Sequence, residues 1–393
     1  MQTAAKLVHD GQFPAAIEAY RKILSARPHQ EQATLGLAAA YRGIFNYDEC
    51  RRLLQDLAKR YPKSGAALVE LGKLDIHLLH YDDAVTHLKE AIRRQPLRAE
   101  AHEQLGVAEQ AKGNEEAALR QFNEAIRLNP RSGSAHYFRG TLYADRNDYA
   151  HAYPDAQEAN SLAPNTQTRA LLGKAATRIG KCEQGIEILK PIAEPESAEP
   201  ANLFLLAQAY KCAGQSELAK QAQSEFGIRS QKAQNAKTQK MEADHLASQA
   251  GEFARANQLA AALDSLNQAI AKDPLNACAH ATLAKIEFSR GDLPKARQEI
   301  AIALHNDPYN PDYLYVLGKV LELSDPQNAL QAFEKVVLVS PEESDAYYEM
   351  GQIYSHMGQR NRALQALKKA VELSPDDAEY KKALAEARAA AMR

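Results

Sequence analysis

Nine prolines recur at a nearly constant interval along this chain. Pro28, Pro62, Pro96, Pro130 and Pro164 follow one another at steps of 34 residues, and Pro274, Pro308, Pro341 and Pro375 at steps of 34, 33 and 34. Proline cannot continue a helix, so a proline at a fixed interval marks the end of a repeated helical unit. Units of this length stack in one dimension, each touching only its neighbours. That changes the meaning of the length, since 393 residues would otherwise suggest two or three globular domains.

The stretch from Ser344 to Asp377 displays the unit most clearly. Tyr347, Met350, Gly351 and Tyr354 stand at the i, i+3, i+4, i+7 spacing of one helix face. Gly358 interrupts the pattern, as a residue free to adopt positive φ does at a tight turn. A second periodic run follows with Ala363, Leu367, Ala370 and Val371, and Pro375 closes it. The unit is a helical hairpin that cannot bury its apolar faces alone. With Ser344 as position 1, positions 8, 20, 27 and 32 are Gly72, Ala84, Ala91 and Pro96 in one earlier unit and Gly106, Ala118, Ala125 and Pro130 in the next. Small residues at 8 and 20 let paired helices approach, and larger ones at 4, 7, 11 and 24 fill the space around them.

On these residues the chain resembles the tetratricopeptide repeat family, whose pattern has an aromatic at 4, Leu-Gly at 7 and 8, Tyr at 11, Gly at 15, Ala at 20 and 27, and Pro at 32. The resemblance covers nearly the whole chain and implies an all-α fold, a right-handed α-solenoid superhelix of about eleven hairpins. Its concave surface would be made by the first helix of each. One departure is the complete lack of Trp; position 4 holds Leu68, His102, His136, His280, Leu314 or Tyr347, which is expected to weaken individual repeats.

Charge and hydropathy exclude several partner classes. Lys and Arg number 48 against 50 Asp and Glu, so no basic excess exists to neutralise phosphates and nucleic acid is not expected as a partner. No apolar run is long enough for an integral membrane segment, and no signal-like stretch opens the chain. Cys50, Cys182, Cys212 and Cys278 form no C-x-x-C pair, which argues against a zinc ribbon or a thioredoxin-like motif.

In chain order, residues 1–226 read as an N-terminal array of about seven repeats with a shortened first one. Aligning Gly11, Phe13, Ala16, Tyr20 and Pro28 places Met1 at position 5. Either the start was trimmed, for example by removal of an export signal, or a frayed first helix is tolerated. Trimming is the favoured reading, which would place the protein in the periplasm or outside the cell, with the cytoplasm as the alternative. The family resemblance points the same way, towards exported bacterial members. Pro154 falls at position 22, where a kink or delayed helix start is expected, and Pro191, Pro195 and Pro200 make the end of the sixth repeat read as a loop. From Pro164 to Pro274 the chain has eight residues more than three repeats require. The surplus is assigned to Gly227–Met241, within a boundary segment 227–242 that carries Arg229, Lys232, Lys237 and Lys240 and no acid until Glu242. This is a basic docking arm or hinge, or a solvated extension of the preceding helix, the reading favoured by its Ala, Gln and Lys content. Residues 243–377 form a C-terminal array of four repeats, and 378–393 a capping helix with Tyr380, Ala383, Leu384 and Ala387 inward.

No phosphate-cradling glycine loop, zinc-binding H-E-x-x-H or nucleophile elbow occurs, so no enzyme activity, cofactor or metal is expected. His77, His80 and His87 with Asp82 and Asp83 form the densest cluster; the turn and outer helix face should scatter them as solvated residues. Cys182 and Cys212 fall where stacking brings the start of one helix near the end of another. Two readings stay open: a disulfide, which would imply an oxidising compartment, or two unrelated small residues in a reduced protein. Cys50 reads as a small core residue and Cys278 as a groove-side one.

The resemblance implies that positions 2, 5, 6, 9, 12 and 13 of each first helix face the groove. In the fifth to seventh repeats these include Tyr137, Phe138, Lys174, Arg178, Phe204, Gln208 and Lys211, and towards the C-terminus Lys285, Phe288, Tyr315, Lys319, Tyr348, Gln352 and His356. Rings interleaved with cations and amides suit an extended peptide, although Phe138 and Tyr348 could equally pack between helices. No Asn occupies position 9, so the carboxylate clamp of chaperone-docking members is not expected. The reading is a non-enzymatic protein-interaction scaffold that takes an extended peptide or partner helix in its groove, with the C-terminal cluster as the best-defined patch. The alternative is a structural homo-oligomer whose ends pair with another copy.

Overall fold

The structure, a computed structural model, describes residues 1–391. The described residues form 22 helices and no strand. They run α1 (Gln2–His9), α2 (Phe13–Ala26), α3 (Glu31–Gly43), α4 (Tyr47–Arg60), α5 (Ala66–His77), α6 (Tyr81–Arg94), α7 (Ala99–Ala111) and α8 (Glu115–Leu128). There follow α9 (Gly133–Asp145), α10 (Tyr149–Leu162), α11 (Thr166–Arg178), α12 (Cys182–Ala193), α13 (Pro200–Cys212), α14 (Ser216–Arg255), α15 (Leu259–Lys272) and α16 (Ala277–Ser289). The last are α17 (Leu293–Asn306), α18 (Pro311–Leu321), α19 (Pro326–Val339), α20 (Ser344–His356), α21 (Arg360–Leu373) and α22 (Ala378–Ala391). Successive helices pair as hairpins, the repeating element of an α-solenoid.

The small residues inferred at positions 8, 20 and 27 lie at the helix contacts. Ala84, Ala91, Ala118 and Ala125 are fully buried, and a Cβ placed on Gly106 would lie 2.5 Å from the Phe122 ring. Position 15 takes positive φ in nearly every hairpin, through glycine in Gly113, Gly291 and Gly358 but through Phe45, Leu79, Asn147 and Asn257 elsewhere. Leu79 bears the backbone cost of φ 63° with its side chain 68% exposed, so it recovers little by packing. Leu79→Gly is therefore expected to stabilise the third hairpin by about 1 kcal/mol, read as slower amide exchange in α5 and α6.

Three histidines at position 4 do more than fill the site left by Trp. Nε2 of His102, His136 and His280 donates to the carbonyl of the preceding Pro96, Pro130 and Pro274 at 3.1, 3.1 and 3.0 Å. Their Nδ1 atoms lie 2.8, 2.8 and 2.6 Å from Gln121 Oε1, Asp155 Oδ1 and Glu299 Oε2. Each ring thus links the closing turn of one repeat to the second helix of the next.

Two local expectations need correction. α10 begins on schedule at Tyr149, with Asp148 accepting from the His151 backbone N–H, and carries Pro154 in its interior. Pro154 has no N–H to give the Ala150 carbonyl, yet α10 starts before it and continues past it to Leu162, so the proline is carried inside the helix rather than delaying its start. Pro191 likewise lies inside α12, two residues before its end, and only the segment from Glu194 to Glu199 is irregular. The surplus residues also have a definite place. Residues 227–242 lie within α14, a helix of 40 residues that serves both the seventh and the eighth hairpin. No proline interrupts it, and its Ala, Gln, Lys and Glu content favours the helix throughout.

The helices fall into two compact units. One comprises His29–Ala38 and Asp48–Gln234; the other comprises Met1–Pro28, Ala39–Tyr47 and the chain from Asn235 onward. In the second unit the first hairpin and the turn between α3 and α4 pack on late repeats. Tyr309 donates to the Gly11 carbonyl at 3.2 Å, its ring lies 6.1 Å from that of Phe13, and Asn46 Nδ2 donates to the Leu338 carbonyl at 2.9 Å. At its C-terminal end α22 packs Ala383 and Leu384 on Leu367, with Tyr380 buried and Lys381, Lys382 and Glu386 exposed. Residues 392–393 of the expected capping helix lie outside the described residues.

Candidate peptide-binding surface

The first helices of the fifth to seventh hairpins are α9, α11 and α13, all within the first unit. Their apolar stripes are used up in pairing with the second helices, which leaves the other side of each open. Two clefts lie there. One, of about 810 Å³, is lined by Tyr137 and Thr141 of α9, Ala170 and Lys174 of α11, and Asn202 and Leu205 of α13. The other, of about 700 Å³, is lined by Arg178, Phe204, Gln208, Lys211 and Cys212. The structure therefore gathers Tyr137 and Lys174 at one opening, and Phe204, Gln208 and Lys211 at the next. Phe138 is not part of either. Its ring stacks on Phe122 at 5.9 Å, inside the packing between α8 and α9.

The cations of these clefts are available. Among the described residues, no carboxylate pairs with Lys174, Arg178 or Lys211. Lys174 and Arg178 lie over the Tyr149 ring, 5.9 and 5.7 Å from its centroid, which holds their stems while leaving their charge uncompensated. Phe204 is 44% exposed with one flank against Phe226, centroids 5.5 Å apart.

The residues expected near the C-terminus have different surroundings. Lys319 Nζ lies 2.8 Å from Glu349 Oε1 and 2.7 Å from Glu322 Oε2, and the Tyr315 hydroxyl donates to Glu349 at 3.2 Å. Burial, and then the Glu349 charge, push the Tyr315 phenol far above its ordinary range. For Lys319, burial acts to lower the pKa, but the bonds to Glu322 and Glu349 outweigh it and hold the ammonium above its usual value. Tyr348 donates to Glu379 at 2.8 Å, receives a bond from Gln352 Nε2 at 2.7 Å, and stacks on Tyr380 with centroids 4.8 Å apart. Phe288 is half-buried against the cluster around Ile300 and Val316, whereas Lys285 is exposed. The polar groups of this patch largely satisfy one another.

Glu349, the hub of that network, was not singled out by sequence reasoning. It stands at position 6 of the last repeat, next to Tyr348, which corresponds to Tyr315 one repeat earlier, and a carboxylate at a groove-facing position is the signal that could have found it.

The cysteines and the acidic histidine cluster also have defined places. Cys182 and Cys212 are joined as a disulfide with Cα atoms 5.4 Å apart, between the first residue of α12 and the last of α13. Cys50 is buried, and Cys278 lines a cleft of about 570 Å³ with Tyr313, Lys240 and Asp244 in the second unit. His87 lies 2.7 Å from Asp75 Oδ2, and Arg51 reaches the same carboxylate at 2.8 Å. Among the described residues no group of three or more His, Cys, Asp or Glu side chains is arranged to hold a metal, and no helix is long and apolar enough to cross a membrane.

Two family models, both described as tetratricopeptide repeat, match the sequence. The first covers residues 7–74, 253–320 and 320–387, and the second 78–121 and 105–165. Among solved structures, MamA from Desulfovibrio magneticus RS-1 is 20% identical over 43% of this chain and 96% of its own, with a TM-score of 0.39. A thermophilic TPR protein of Thermus thermophilus, TTC0263, is 23% identical over 47% of this chain and 99% of its own, with a TM-score of 0.36. YrrB, described as a TPR protein with an unusual peptide-binding site, is 15% identical over 57% of this chain and 95% of its own, at a TM-score of 0.37. These likenesses concern the fold alone. No curated protein matches the chain significantly.

Proposed function

We propose that this chain, which belongs to the tetratricopeptide repeat family, is a non-enzymatic scaffold that captures an extended protein segment on α9, α11 and α13. Proteins of the family are in general protein-interaction scaffolds. The observation that carries the assignment to these helices is the contrast in charge pairing. Lys174, Arg178 and Lys211 line open clefts without a carboxylate partner, whereas Lys319, Tyr315 and Tyr348 are engaged by Glu322, Glu349 and Glu379. A ligand that binds the former gains charge interactions at little cost; one that binds the latter must first break a satisfied network.

In this reading Tyr137 and Phe204 supply buried area, Gln208 can bond a passing peptide group, and the three cations select a segment with acidic side chains. The test is selective loss of a partner. A Lys174→Glu, Lys211→Glu variant should lose at least about tenfold in affinity for a partner that the unaltered chain captures, because charge reversal places like charges opposite the ligand. A Lys285→Glu variant serves as the matched control and should bind as the native chain does. Equal losses in both variants, or in neither, would contradict the assignment.

A further inference from the structure

We infer that the Cys182–Cys212 disulfide is a redox latch on the Phe204–Lys211 cleft, so that thiol–disulfide exchange sets whether the cleft is held in its binding shape. The inference rests on the peptide-binding reading above and adds its regulation.

Four observations support it. Cys212 itself lines the cleft, next in sequence to Lys211 and beside Arg178, so the bond ties the cleft wall directly. The tie joins the start of α12 to the end of α13, across a pair of helices whose connection is the irregular segment Glu194–Glu199. Cys212 is exposed and Cys182 half-exposed, so an incoming thiolate has access. Finally, the two helices share an apolar cluster that includes Leu189, Ile192, Leu203 and Leu206, so their packing has a basis other than the disulfide. Reduction would release the end of α13 and leave the hairpin folded.

The chemistry is an exchange with an external dithiol. Its thiolate attacks Cys212 Sγ, the bond to Cys182 breaks, and Cys182 leaves as a thiolate at the first residue of α12, where unpaired backbone N–H groups favour negative charge. The second thiol of the reductant then displaces Cys212 and closes its own disulfide. Two electrons and two protons pass from the dithiol to the cysteines, which become thiols. The other cysteines take no part: Cys50 is buried in α4, and Cys278 belongs to the second unit.

In the released state the last turn of α13 opens more often, and Gln208 and Lys211 lose their fixed relation to Arg178. The experiment is amide hydrogen exchange on the full chain, oxidised and after reduction by dithiothreitol, with a Cys182→Ser variant as a permanently open form. Circular dichroism is followed throughout. Exchange from Gln208 to Gly214 should become about tenfold faster on reduction and in the variant, with α18 and α20 unchanged and helicity retained, as for a local rather than a global opening. Reoxidation should restore the slow rate.

A short labelled peptide of alternating glutamate and leucine, added to both redox forms, should bind the oxidised one about tenfold more tightly, because a held cleft loses less freedom on binding. Unchanged exchange on reduction overturns the latch, as does reduction that proceeds only with loss of helicity. Faster exchange with equal peptide affinity in the two forms overturns its regulatory role. Binding in neither form counts against the peptide-binding reading and with it the proposed regulation, while the exchange rates still decide whether the latch exists.

Discussion

Phe122→Ala is expected to destabilise the fourth hairpin by about 3–5 kcal/mol, among the largest effects of any single substitution in this protein. Phe122 has no solvent exposure, and its ring fills the space against Gly106 that a side chain would otherwise occupy. It also carries the ring of Phe138 and packs on Leu142, so the cavity would reach into the fifth hairpin. Gly106 and Phe122 are complementary in shape. Gly106→Val alone drives side-chain atoms into the ring, but combined with Phe122→Ala it refills part of the cavity. The double variant should be more stable than the sum of the two single losses implies, with a coupling of about 0.5–3 kcal/mol. A repeat array need not unfold in one step, so the appropriate measure is exchange of the α7, α8 and α9 amides under native conditions. Strict additivity would contradict the packing described.

Asp155→Ala is expected to cost a similar amount, about 3–5 kcal/mol, for a different reason. Asp155 is 4% exposed and receives two bonds from Arg139, at 2.7 and 2.6 Å, while His136 Nδ1 lies 2.8 Å away. Its removal takes the acceptor from Arg139 Nε and Nη2 and from His136 Nδ1, leaving the guanidinium only Asn123 Oδ1 at 2.7 Å and the imidazole only the Pro130 carbonyl. Burial alone would lower the Arg139 pKa, but the bonds and charge of Asp155 more than offset it and hold it above its usual value. Asp155→Asn keeps the shape and one acceptor and should cost less than the alanine. Thermal melts of the three proteins would check the order: equal losses for Asn and Ala would contradict it, and an Asn protein as stable as the native one would show that charge plays no part.

What the sequence made legible follows from how directly a residue's role is local. Proline at position 32, alanine at 20 and 27 and glycine at 8 each act within one hairpin or at its edge, so their spacing could be read without coordinates. The histidines at position 4 were visible only as departures from an aromatic. Their partners at position 23 are Gln121, Asp155 and Glu299, which share acceptor chemistry but no single residue type, so no motif stands out. The contact of Tyr309 with Gly11 joins residues 298 apart, and nothing in a 34-residue period encodes it. At the candidate site, the groove-facing positions named residues on early and late first helices alike, without telling which of them are already paired. Tyr315, Lys319 and Tyr348 look like a binding patch when only their own types are considered. The carboxylates that engage them lie on neighbouring helices or at a helix end, and only assembled coordinates reveal that they are already satisfied. The same limit explains the merged α14: eight surplus residues were countable, but whether they loop out or continue a helix depends on two hairpins sharing one element.

The most direct test of the account is the affinity of a captured partner segment for two charge-reversed proteins, measured by calorimetry with the disulfide intact. One is the Lys174→Glu, Lys211→Glu protein and the other Lys285→Glu, each first shown to retain native helicity. The account predicts that the first binds at least about tenfold more weakly than the unaltered chain and that the second binds as tightly as it does. Full affinity in the first protein, with loss in the second, would place binding on the C-terminal helices and contradict the central claim.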